Sequence, residues 1–219
     1  MTGFSRSPRL LKGAIVGVDP MNPLASVIIF QYNPDSLSRR IAANAANPSA
    51  AQGEALRLKG PPQETITASI EIDAADQLEG ANPLAVGMGV HPTLASLEML
   101  LYPKSLAMIL NEALAMAGTI EVLPPEAPLT LFVWGPARVV PVRITELTIE
   151  EEAFDNLLNP IRARVQLSMK VLTYQDLGLA SVGGALFMAH QVAKEVMATI
   201  GGAAAIGGAV AGSFEVSIG

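Results

Sequence analysis

Hydrophobic and polar residues alternate most regularly over residues 161–174. Ile161, Ala163, Val165, Leu167, Met169 and Val171 fall on one face, and Arg162, Arg164, Gln166, Ser168 and Lys170 on the other, which is the period of two that a half-buried strand requires. Residues 64–73 repeat the pattern, with Ile66, Ala68, Ile70 and Ile72 opposed to Thr65, Thr67, Ser69, Glu71 and Asp73. The stretch 138–150 is less regular. Its apolar phase passes from Val140, Val142 and Ile144 to Leu147 and Ile149, which predicts a bulge, or a passage between two packing environments, near residue 145. The turn-like Phe154-Asp155-Asn156-Leu157-Leu158-Asn159-Pro160 between 138–150 and 161–174 predicts a long hairpin. With its outward faces aligned, even positions pair with even, bringing Glu146 and Thr148 near Arg164 and Arg162. Equally, that face is an ordinary solvated surface whose ion pairs contribute about 0–1 kcal/mol each.

Shorter β-branched runs at 10–18 and 26–32, separated by Asp19-Pro20 and Asn22-Pro23, predict a first hairpin. Leu129 to Gly135 reads as a compact apolar strand entered through Pro124, Pro125 and Pro128. Residues 41–60 are rich in Ala, Asn, Gly and Pro and poor in bulky apolar side chains, so a long loop is expected there. The period changes after Pro92. Leu94, Leu97, Leu100 and Leu101, then Leu106, Ile109, Leu110, Leu114 and Met116, recur at helical spacing up to Gly118, which predicts two helices or one kinked at Pro103. Six or more strands with one helical insertion give a mainly β, α+β domain over 1–175, a rolled sheet with helix packed against it.

Residues 176–219 differ in kind. Gly183-Gly184, Gly201-Gly202 and Gly207-Gly208 punctuate an Ala-rich stretch, and each pair lowers helix propensity. The expectation is a partly helical Ala/Gly-rich extension: a helix over 185–199, then a looser tail.

Composition sharpens this picture. Half of the 219 residues are hydrophobic and only 16% are charged, against roughly 25% in ordinary soluble domains. The chain is then either a monomer with an apolar surface or, the favoured reading, a protomer that hides apolar surface against its neighbours. A net charge of −6 without a basic patch argues against a nucleic-acid partner. The absence of cysteine removes disulfides and thiolate chemistry and fits intracellular synthesis. Lys12 interrupts the apolar run that follows Arg6 and Arg9, and Asp19-Pro20 ends it, so a first strand is expected and no signal peptide.

No candidate chemistry assembles from these residues. His91 and His190 stand apart without a neighbouring carboxylate or cysteine cluster, so a structural role is expected of each and no metal or cofactor site is assigned. Glu150-Glu151-Glu152 reads as a solvated turn at a hairpin end rather than a catalytic pair. The tail glycines lack the Lys-Ser/Thr of a phosphate loop. His190, Lys194 and Glu195 cut the tail's apolar run too short for a membrane span. Trp134 reads as an aromatic that closes the sheet. No catalytic residue is proposed, and the chain is not expected to be an enzyme.

Together the motifs do resemble a family, the tube proteins of contractile injection systems, which are phage-tail-like particles. Phe30-Gln31-Tyr32-Asn33-Pro34-Asp35-Ser36-Leu37 is similar to the family's Phe-x-Tyr-Asn-Pro-x-x-Leu signature. Glu64 to Asp73 resembles its alternating strand, Leu129 to Gly135 its Leu-x-Phe-x-Trp-Gly strand, and the hairpin through Asn159-Pro160-Ile161-Arg162-Ala163 follows in order. The resemblance covers about residues 10–175. It implies two β-sheets rolled into a barrel-like sandwich with a helix on one side, and hexameric rings forming the inner tube or the tube-initiator layer between baseplate hub and tube. The implied partners are copies of the chain itself and adjacent tube, hub, spike, baseplate or sheath proteins. The implied setting is cytoplasmic assembly into a particle that is released or membrane-attached. The LysM-like domain that often follows in the family is missing, so sheath clamping does not carry over to 176–219. Outside the resemblance, a rolled sheet with an apolar interior also suits a barrel that binds a small apolar ligand.

Overall fold

The computed structural model describes residues 11–18, 27–45, 57–116, 118 and 127–214, with backbone alone from 207 onward. The turn at Asp19-Pro20 and Asn22-Pro23, the linker residues Pro124 and Pro125, and residues 46–56 of the expected loop lie outside these. The fold is α+β and mainly β. Its strands are β1 (Ala14–Val18), β2 (Val27–Ile29), β3 (Leu37–Ala42), β4 (Gln63–Asp73), β5 (Leu129–Val133), β6 (Val139–Phe154) and β7 (Pro160–Val171). They form one antiparallel sheet in the order β2-β1-β5-β6-β7-β4-β3, a continuous ladder where the resemblance implies two sheets.

The ladder is rolled, and chain length explains why. β2 and β3 are the two edges, yet only residues 30–36 connect them. Seven flat strands would be about 29 Å across, as far as that connection could reach fully extended, about 28 Å. It bends instead, and Gln31 Oε1 accepts from the Asp73 N–H at 2.9 Å, tying the β2 edge to the end of β4. The concave face carries one core, with Ile15, Phe132, Ala163, Val165, Leu167 and Met169 fully buried.

Each inward side chain expected on β4 and β7 points into that core. Burying a large apolar side chain contributes roughly 1.5–3 kcal/mol, so β7 alone accounts for a large share of the fold's stability. The expected irregularity in β6 is a register shift between Ile144 and Glu146. One expectation needs correcting: Glu146 and Thr148 sit opposite Ser168 and Gln166, whereas Glu150 faces Arg164 and Glu152 faces Arg162. The parity was right and the offset wrong, because the turn closes within Asp155–Asn159 and carries β6 further than 150. Glu150, Glu151 and Glu152 are therefore strand residues, not a turn.

The insertion between β4 and β5 contains α1 (Ala75–Glu79), α2 (Pro83–Met88), α3 (His91–Glu98) and α4 (Ser105–Met116). Pro103 separates the last two, deciding for two helices rather than a kink. At the α2–α3 turn Gly89 has φ +58°, and a Cβ there would run into the Pro160 carbonyl, which accepts from the Val90 N–H. After β7 come α5 (Tyr174–Leu177), started by a Thr173–Asp176 capping box, and α6 (Val182–Phe214). α6 does not stop at residue 199: it runs through Gly201-Gly202 and Gly207-Gly208 as a single helix, its many alanines offsetting propensity costs of about 1 kcal/mol per glycine.

Candidate assembly surface

The β6–β7 hairpin presents two surfaces to its surroundings. The first is a backbone edge. β5 pairs only with Val139 to Val142, so from Arg143 to Phe154 β6 has no strand beside it except β7 among the described residues. Every second residue there offers an unshared N–H and C=O, the arrangement that templates pairing with another chain. The outer side of β3 is a second open edge.

The second surface is the convex face, where basic and acidic side chains are matched rather than segregated. Arg162 meets Asp73 at 2.6 Å and Glu71 at 3.5 Å, and Arg164 meets Glu152 at 3.4 Å and Glu150 at 4.0 Å. Asp73 is the one nearly buried member. Burial pushes its pKa up, but the Ala75 N–H and Arg162 outweigh this and hold it below the ordinary aspartate range. Asp155 likewise sits low, accepting from the Asn159 side chain and backbone and from the Leu157 N–H as it closes the hairpin turn.

Apolar side chains continue this surface beyond the sheet. Phe154, Leu157 and Leu158 are exposed at the hairpin tip, and α4 buries no residue while exposing Leu106, Met108, Ile109, Leu110, Leu114 and Met116. Among the described residues no helix is long and apolar enough to cross a membrane.

The Phe30 to Leu37 motif acts in folding. Phe30 is buried against Trp134, which stacks on Phe132 with centroids 5.9 Å apart, as expected of an aromatic closing the sheet. Asn33 clamps the segment just before β1, accepting from the Gly13 N–H and donating to the Leu11 carbonyl, both at 2.8 Å. The Gln31 tie closes the roll. Between β2 and the far half of β4 this seam leaves a cavity of about 400 Å³, lined among others by Ile28, Phe30, Ile70, Ile72 and Lys12. Of the two histidines, His91 is exposed at the start of α3 and His190 is buried on α6.

No protein-family model matches the chain, and no curated protein matches it. Among solved structures it is similar to a chain from the virion of a native gene transfer agent particle, with 13% identity, 73% of this chain and 90% of that chain covered, and a TM-score of 0.28. It is also similar to a chain from the tail of an empty gene transfer agent particle with C6 symmetry, at 14% identity, 77% and 95% coverage, and a TM-score of 0.29.

Proposed function

We propose that the chain is a non-enzymatic structural component of a contractile injection system, a phage-tail-like particle. Six copies form a ring, either of the inner tube or of the tube-initiator layer joining baseplate hub to tube. The observation that carries this reading is the unpaired β6 edge from Arg143 to Phe154, offered alongside a second open edge on β3. An edge that pairs with a different edge of the next copy makes a head-to-tail interface, and such interfaces close into rings when the rotation allows. The motif order from Phe30 to Ala163 and the low charge support it.

In this reading residues 1–175 form the ring body, and 176–219 form an extension that meets a neighbouring tube, hub, baseplate or sheath protein. Synthesis and assembly are cytoplasmic. Mass photometry and cryo-electron microscopy of the purified chain with its neighbouring particle components test the reading. The expected result is a six-fold ring joined to a tube, and a stable monomer that never joins one would refute it.

A second reading rests on the seam cavity, whose volume suits a small ligand and whose lining sets Ile28, Phe30, Ile70 and Ile72 beside the charged Lys12, Glu71, Asp73 and Asp76. Native mass spectrometry of the chain purified from its source would then find an apolar molecule retained at one per protomer.

A further inference from the structure

α6 is seated on the sheet by one short stretch. Gly183 lies against Leu177 and Leu129, Gly184 against the Gly178 carbonyl, and Phe187 enters the core beside Tyr174. His190, at 7% exposure, is the last buried side chain of the helix among the described residues. Beyond it Val192, Val196, Met197, Ile200 and Ile206 are all exposed. A helix held only near its start depends on its last anchor.

That anchor titrates. The His190 ring faces the Ala137 backbone, in the β5–β6 turn, and its buried Nδ1 has no hydrogen-bond partner among the described residues. The neutral ring suits this site, because its Nδ1 is then a bare acceptor and not a buried donor. A protonated ring would bury a second N–H that has no acceptor. The charged groups facing it are Lys194 one turn along α6, Arg39 on β3 and Glu64 on β4. Glu64 is already paired with Arg39 through contacts of 2.6 and 2.7 Å. A charge on the ring would thus meet two cations and one shared carboxylate.

We propose that His190 is an acid-sensitive latch: protonating its ring unseats the start of α6 and frees the distal helix, with its exposed apolar side chains, to move relative to the sheet. Burial first, then Lys194, hold the ring's pKa below the ordinary histidine value. The folded chain therefore binds fewer protons than the unfolded one. Seating is complete at neutral pH and weakens as pH falls below about 6.5.

Hydrogen exchange on the full-length chain, corrected for the intrinsic pH dependence of exchange, tests the latch. Between about pH 7.5 and 5, protection across 183–194 is expected to fall several-fold while β7 stays protected. His190→Gln keeps a polar side chain of similar reach beside the Ala137 backbone but cannot titrate, so its protection is expected to stay flat. Lys194→Gln changes a partly exposed position, folds whether or not His190→Gln does, and removes one opposing charge, so its fall is expected to shrink. Flat protection in the wild type overturns the latch. So does His190→Gln falling as far as the wild type, which would assign the change to a group other than the ring.

Discussion

β7 and α4 are each twelve residues long, and each is rich in large apolar side chains, but they use them in opposite ways. β7 places Val165, Leu167 and Met169 in the core at 0% exposure, whereas α4 leaves Leu106, Ile109 and Leu110 at 57–66%. β7 lies between β6 and β4 and so has partners within its own chain on both sides. α4 follows Pro103 away from the sheet and has none among the described residues that buries it. Periodicity announces an element; it does not say whether the surface that completes the element belongs to the same molecule.

The sharpest way to break the contrast is Leu167→Asp. A carboxylate at a fully buried position without a partner costs upward of about 4 kcal/mol. The variant is expected to lack near-ultraviolet circular dichroism at any temperature. A cooperative melt close to that of the wild type would mean that the face assignment of β7 is wrong. Gly89→Ala comes next. Its Cβ would meet the Pro160 carbonyl at φ +58°, and a strained backbone of this kind costs about 1–3 kcal/mol. Urea denaturation should report that loss with the slope unchanged.

The same contrast explains what could be read from the sequence. The inward faces of β4 and β7, the bulge near 145 and the helical spacing before and after Pro103 were all legible, because each is a period, or a break in one, contained within a single element. β3 was not. Leu37, Arg39 and Ile41 share the inner face, but Arg39 is a charged residue there, paired with the buried Glu64, so no apolar alternation marks the strand. The length of α6 was also missed, since Gly201-Gly202 reads locally as a stop although the helix continues through it. The open β6 edge could be foreseen only as a hairpin able to pair with a neighbour. Which residues stay unpaired depends on where β5 ends. The roles of Gln31 and Asn33 were hidden too, because their partners Asp73, Gly13 and Leu11 lie 20 to 42 residues away.

Within the sheet, Arg162 and Arg164 look equivalent in the alternating pattern, yet they differ in what they hold. Reversing Arg162 to Glu leaves Asp73, whose side chain is 11% exposed, facing a like charge. Reversing Arg164 disturbs only the half-exposed Glu150 and Glu152. Arg162→Glu is expected to lower the melting temperature clearly and Arg164→Glu hardly at all, by differential scanning calorimetry. Acid is expected to mimic the first change. Asp73 is held below its ordinary pKa, so the stability it contributes is present above about pH 4 and is lost as pH falls further. In Asp73→Asn that part of the acid loss should be missing; an equal loss in both chains would assign it to another carboxylate.

The smallest effect on the isolated chain is expected at α4, and there the comparison meets the proposed function. Ile109 is 66% exposed, so Ile109→Lys should change stability by no more than about 0.5 kcal/mol. If α4 is completed by a neighbouring molecule, the same lysine becomes a charge buried at an interface, which a partner penalises far more than water does. Ring or tube yield, counted by mass photometry and particle imaging, should then fall sharply while the melting temperature stays put. A lysine that lowers the melting temperature as well would mean that α4 packs on its own chain in solution, and the contrast with β7 would disappear. A lysine that changes neither would leave α4 outside the assembly contacts, so that the open β6 edge alone would have to hold the ring.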